Sequence, residues 1–311
     1  MTPDQPLAAI AATNRRRLLS GLALLFGAAV AYGVTPAVVA LGRSTVSLFD
    51  LLTYRAMFTA AFLGAILVAS GRRRTLLSGR PRRGVLIGAT FLSADVLLFF
   101  GSLSYVETSL AVAIGFLYPT VVLLLLAVVA RRRPRSSDLL LSLLAVSGVG
   151  AMTLSSGAEA NGAGLLMLVG CISVYSLYVL FATRLVQETP PMAMAVQVQV
   201  GVALTVGILG LLTGQLTPLG SAEAWRQVVL QSLLLSAAMT AYFAGLARLG
   251  PALASTSDTV QPAVALVAGA ALLGESVTPV KVIGVAMVIT AIAVSSVRER
   301  RRVGASMTGS S

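Results

Sequence analysis

Between two apolar runs the chain reads STSDTVQP, Ser255 to Pro262. Four hydroxyls, the Asp258 carboxylate, the Gln261 amide and a proline fall within that one stretch. A carboxylate there can hold an amine or take up a proton, with Ser255, Thr256 and Gln261 as neighbouring hydrogen-bond groups. Pro262 has no N–H for the carbonyl four residues earlier, that of Asp258, so this carbonyl is expected to be free beside the carboxylate. Pro119 repeats the interruption in an earlier apolar run, in VAIGFLYP, without the acid; the two prolines are read as a shared hinge or kink. The other chemistry-bearing residues in apolar surroundings are Arg55 in TYRAM, Asp95 in LSAD, and the phenols Tyr32 and Tyr175. Histidine is absent, which removes imidazole metal ligands, histidine proton relays and Ser-His catalysis. The single cysteine, Cys171, rules out a disulfide framework. No ATP motif is present, and no metal or other cofactor is expected.

These groups must be positioned by elements that tolerate lipid. With 57% hydrophobic residues, 11% charged and a mean hydropathy of +0.90, the chain lacks the polar surface that a soluble core of this length needs. Ten apolar runs approach the roughly 20 residues that span a bilayer as a helix: 18–41, 47–70, 84–105, 109–130, 138–155, 162–183, 192–213, 227–247, 251–273 and 279–297. They lack the alternation of barrel strands, and the first is too long for a signal-peptide core. Apart from Arg43, Arg55, Arg226 and Lys281, every basic residue falls in segments that share one side if the N-terminus is cytoplasmic. The net charge of +12 therefore reports orientation in a cytoplasmic membrane, with both termini inside, and not a nucleic-acid partner. Trp225 precedes the eighth run as an interfacial aromatic would. The ends, 1–14 and 303–311, are read as disordered, and the arginine-rich 71–83 loop as a headgroup anchor.

Polar groups inside spans are functional candidates by default. Arg55 lies about eight residues, roughly 12 Å, from the outer edge of its run, and Asp95 about eleven residues, roughly 16 Å, from the inner edge of the next. At similar depth they can form a structural ion pair; Arg55 can instead face the cavity and meet a carboxylate or phosphate, or snorkel to headgroups. Asp258, roughly 10 Å from the inner edge, has no cation at its level. It serves a substrate or a proton, or is a protonated group bonded to Ser255 or Thr256. Gln197 and Gln199 point about 200° apart, so at most one faces a cavity. Ser232, Ser236 and Thr240 form one stripe suited to helix packing, and glycines 27, 64, 170 and 207 suit close helix contact.

An ungapped offset of 143 residues matches Tyr32 with Tyr175, Gly64 with Gly207, Gly71 with Gly214, Leu92-Ser93-Ala94 with Leu235-Ser236-Ala237, and Pro119 with Pro262. At the same offset Asp258 meets Gly115. Each half holds five runs, and an odd number inverts the second half relative to the first. The expectation is an all-α integral membrane protein with ten transmembrane helices as two five-helix inverted-topology repeats, 18–156 and 162–298. Cytoplasmic tails of 1–17 and 299–311 flank them, and the substrate site lies between the halves.

LSYVETSLA at 103–111, LARLGPALA at 246–254, the following prolines, LLGES at 272–276 and Arg55 resemble the drug/metabolite transporter superfamily, EamA-like type. The first half departs from the pattern, with Arg131-Arg132 where the second has Gly274-Glu275, so Glu275 is read as structural. The resemblance implies a secondary active transporter of a small organic metabolite working by alternating access. Asp258 with Arg55 would suit an amino-acid-like zwitterion. A proton or a counter-substrate would couple transport, in a monomer or weak homodimer. The alternatives are a channel or an intramembrane aspartyl enzyme using Asp95 and Asp258.

Overall fold

The computed structural model describes residues 4–77, 81–129, 136–155, 161–186, 189–249 and 257–308. Within these the chain is helical, with no strand. The first repeat holds α1 (Asp4–Gly42), α2 (Leu48–Ala69), α3 (Pro81–Ile87), α4 (Ser93–Ser102), α5 (Thr108–Gly115), α6 (Tyr118–Val129) and α7 (Ser136–Ser155). The second holds α8 (Gly162–Val186), α9 (Pro191–Leu212), α10 (Ala222–Leu249), α11 (Gln261–Leu273) and α12 (Pro279–Thr308). Among the described residues six helical stretches are long and apolar enough to cross a membrane, including Leu18–Gly42, Arg82–Ser102 and Ala222–Leu249. Shorter apolar stretches cover Thr108–Val122, Leu139–Leu154, Asp258–Leu273 and Pro279–Val294. Where the ends are described, at 4–14 and 303–308, they are helical and not disordered as expected: α1 begins at Asp4 and α12 runs to Thr308.

Burial is arranged for lipid. Leu154, Leu166 and Leu212 are at least 73% exposed, while Arg55, Thr59, Gln231, Ser232 and Lys281 are at most 5% exposed. Large apolar side chains outside and polar ones inside are stable only where the surrounding solvent cannot hydrogen-bond.

The 143-residue register has a structural counterpart. Gly71 and Gly214, matched at that offset, follow α2 and α9 with φ of +72° and +66°. Each occupies the left-handed position after a helix that glycine takes without a Cβ penalty. Helix packing is exchanged in the same way. α1 packs on α10 while α8, its counterpart, packs on α4; α1 also meets α11 while α8 meets α6. The pairs α2 with α9 and α7 with α12 are their own counterparts. The two larger hydrophobic clusters draw on both halves, one joining Leu110 and Met152 to Leu266 and Val288, the other Leu51 and Leu52 to Val202 and Val228. The repeats are thus segments of sequence that share their cores.

One span of the first half is broken, and a turn lies at the matched place in the second. α5 ends at Gly115 and α6 starts at Tyr118, with a turn at 116–117. One offset on, Asp258–Val260 forms a 3-10 turn that leads into α11. Pro119 and Pro262 are each the second residue of the helix after the turn, where a missing N–H leaves no helical bond unmade. A further irregularity lies between α3 and α4, where Gly88–Leu92 is a wide π turn and Ser93 Oγ donates to Gly88 O at 2.9 Å. Its extra residue re-phases the helix face just ahead of Asp95.

Candidate functional site

A cavity of about 270 Å³ lies where the turns at 116–117 and 258–260 meet α1, α4 and α8. Asp95, Asp258, Gln261, Tyr32 and Tyr175 all line it, so five of the residues singled out in the sequence share one space. Three pairs related by the 143-residue offset line it together: Tyr32 with Tyr175, Gly115 with Asp258, and Tyr118 with Gln261. The cavity therefore lies where a two-fold relation between the halves would place it. Ser255 and Thr256 fall outside the described residues, as does the side chain of Pro119.

Each carboxylate is oriented by one neutral donor. Cys171 Sγ donates to Asp95 Oδ1 at 3.0 Å, and Gln261 Nε2 donates to Asp258 Oδ1 at 3.0 Å across one turn. The second oxygen of each acid has no hydrogen bond among the described residues. Aromatic rings supply the walls, with Tyr118 edge-on to Tyr175 at 4.9 Å and Tyr175 tilted against Tyr178 at 5.5 Å. Phe99, Phe100 and Phe116 complete them.

The backbone of the turns is held differently in the two halves. α1 crosses at Gly33, where a Cβ would lie 2.9 Å from the carbonyl oxygen of Gln261. One offset on, Ser176 of α8 stands in place of that glycine, and its hydroxyl lies 3.3 Å from the carbonyl oxygen of Tyr118. The Asp258 carbonyl, expected to be free, instead accepts the N–H of Gln261. The 3-10 turn shortens the bond to three residues, which takes up the acceptor that Pro262 cannot serve.

Arg55 corrects the sequence reading on all its alternatives. It is 5% exposed and so does not snorkel, it is not among the cavity-lining residues, and it makes no ion pair with Asp95 among the described residues. Its guanidinium carbon lies 4.6 Å from the centroid of Phe100, a cavity-wall ring. Equal depth did not bring Arg55 and Asp95 together because Asp95 is turned to Cys171 of α8. Gln197 and Gln199 are both buried away from this cavity; Gln197 Nε2 donates to Leu76 O at 3.1 Å. Ser236 and Thr240 face a separate apolar groove between α1, α2 and α10. Gly27 and Gly64 pack against nothing, whereas a Cβ on Gly88 or Gly201 would collide with the backbone of the facing helix.

Sequence reasoning missed three features. Tyr118 was signalled by its offset match to Gln261. Cys171 had no signal beyond lying in a span. Lys281 was set apart only as a basic residue off the cytoplasmic side, yet it is 1% exposed and its Nζ lies 2.6 Å from Glu107. Beside that pair Glu275 caps α5, accepting the N–H groups of Thr108 at 2.6 Å and Ser109 at 3.2 Å. A carboxylate there completes orphan donors and complements the helix dipole, a structural role. Among the described residues no cluster of His, Cys, Asp and Glu could hold a metal.

Comparison with known proteins agrees with this architecture. A solved structure described as "Crystal structure of protein" superposes with a TM-score of 0.66 at 19% identity, covering 92% of this chain and 98% of the other. No curated protein matches. The family model for the EamA-like transporter family matches twice, over residues 19–154 and 162–297, segments displaced by the same 143 residues at both ends. The chain belongs to the EamA-like transporter family.

Proposed function

We propose that this chain is a secondary active transporter of a small organic solute, with this cavity as its binding site. The observation that carries the reading is that three offset-related residue pairs, Tyr32 with Tyr175, Gly115 with Asp258 and Tyr118 with Gln261, line one cavity. A site on a two-fold relation between repeats can be opened to either side by exchanging the conformations of the halves, which is alternating access. The reading takes ten spans in two inverted sets of five in the cytoplasmic membrane, and the distribution of arginine supports placing both termini in the cytoplasm. Asp258 and Asp95 are the substrate or coupling groups, with a proton or a counter-substrate as the driving species.

The aspartyl-enzyme alternative has no support. Its two acids share the cavity, but each offers Oδ1 to a different neutral donor, and a shared-proton dyad needs them bonded to each other. The amino-acid-like reading relied on Arg55 facing the same space as Asp258, and Arg55 does not line it.

The test is flux into vesicles reconstituted with purified protein, across a panel of amines, amino acids, nucleosides and organic acids. A carrier gives saturating uptake that is accelerated by the same solute on the far side. A compound that stabilises the protein in a thermal shift but never crosses the membrane would remove the transport reading.

A further inference from the structure

The charges around the cavity narrow the substrate class, an inference that rests on reading this cavity as the transport site. Among the described residues its lining carries two carboxylates, Asp95 and Asp258, and no lysine or arginine. The donors bonded to those acids, the Cys171 thiol and the Gln261 amide, are neutral and line the cavity themselves. They fix the orientation of each carboxylate and leave its charge for something else. The two buried cations among the described residues are otherwise engaged: Lys281 is paired with Glu107, and Arg55 sits on the ring of Phe100. Even with Arg55 counted behind the wall, the acids outnumber the bases.

Carboxylates without a protein cation at membrane depth are costly, and a ligand that brings the positive charge removes that cost. The remaining wall suits the same ligand. Tyr32, Tyr118 and Tyr175 with Phe99 and Phe116 present several aromatic rings to a space of about 270 Å³. Ring faces attract cations, most strongly where water is excluded. A carboxylate-bearing solute would meet two like charges and no lining cation. We infer that the substrate is a small organic ammonium, a protonated or quaternary amine carrying apolar or aromatic bulk.

The experiment compares probes that share a phenyl ring and differ in charge: phenethylamine, benzyltrimethylammonium, phenylalanine and 3-phenylpropionate. Calorimetric titration of the detergent-purified full chain is followed by counterflow in vesicles. The two amines are expected to bind one per chain, at least about tenfold tighter than the zwitterion or the acid. Asp258→Asn and Asp95→Asn should each weaken the amines by about tenfold or more, with thermal unfolding confirming that both variants fold. The inference is overturned if neither amine binds, if phenylalanine or 3-phenylpropionate binds as tightly, or if both variants leave amine binding unchanged. Its fate separates from that of the transport reading. Amine binding without counterflow keeps the substrate class and removes the carrier, whereas saturating counterflow of the acid alone keeps the carrier and removes the class.

Discussion

Lys281 Nζ lies 2.6 Å from the Glu107 carboxylate, with side-chain exposures of 1% and 9%, and so ties the start of α12 to the residue before α5 across the two repeats. The ammonium is further satisfied by the carbonyl and hydroxyl oxygens of Ser276, at 2.8 and 3.1 Å. Removing one partner of such a pair strands the other charge, which costs about 3–5 kcal/mol. Lys281→Met is therefore expected to lower stability by that amount in thermal or denaturant unfolding in detergent. Adding Glu107→Leu should recover most of the loss. Equal destabilisation by Lys281→Met and by the double variant would show that packing of the lysine stem, and not its charge, is what matters.

The position of Arg55 over Phe100 makes a prediction opposite to that of an Arg55–Asp95 ion pair. If the pair existed, Asp95→Asn would rescue Arg55→Ala. With the guanidinium on the Phe100 ring, Asp95→Asn should give no rescue, and the two effects should add within a few tenths of a kcal/mol. Arg55→Ala and Phe100→Leu, in contrast, should couple by about 0.5–2 kcal/mol. Unfolding of the two double-mutant cycles checks both statements at once.

Gly88 of the π turn and Gly201 of α9 bring two backbones into contact, since a Cβ on either would collide with main-chain atoms of the other helix. Backbone cannot step aside as a side chain can. Gly88→Ala and Gly201→Ala should each destabilise by about 1–3 kcal/mol, as overpacking does. Gly64→Ala is the control: nothing lies within 4 Å of its added Cβ, and alanine favours a helix by up to about 1 kcal/mol. It should unfold at the parent temperature or slightly above.

What could be read in the sequence was what repeats or what defies lipid. The offset that matched Tyr32 with Tyr175 and Pro119 with Pro262 located the turns at 116–117 and 258–260. Asp258 and Gln261 stood out because polar groups are rare in such a run, and both line the cavity. Glu275 was read as structural from the absence of its counterpart, and it caps a helix. Depth arithmetic failed for Arg55 because it gives the height of a residue and not its direction around the helix. The π turn at Gly88–Leu92 changes that direction for Asp95, and no residue pattern announced it. Cys171 was illegible for a different reason: a thiol in an apolar helix is ordinary until a carboxylate from another span meets it.

The match of Gly115 with Asp258 permits a last prediction, that the acid can change halves. Both positions line the cavity, Gly115 at the end of α5 and Asp258 in the turn that leads into α11. A Cβ at Gly115 would meet only Phe99 Cε2, at 3.7 Å, an ordinary contact, so a side chain can be accommodated there. Asp258→Asn alone is expected to lower ligand binding by about tenfold or more, the loss of one charge–charge contact at low dielectric. Adding Gly115→Asp returns a carboxylate to the same space from the other side. The double variant should recover a substantial part of the binding in a thermal-shift titration with phenethylamine, even if flux stays slow. Recovery would mean that the cavity needs the charge and not that particular helix. A double variant that folds and binds no better than Asp258→Asn would mean that Asp258 acts through its bond to Gln261, a geometry that Gly115→Asp cannot copy because Tyr118 stands where the amide would be.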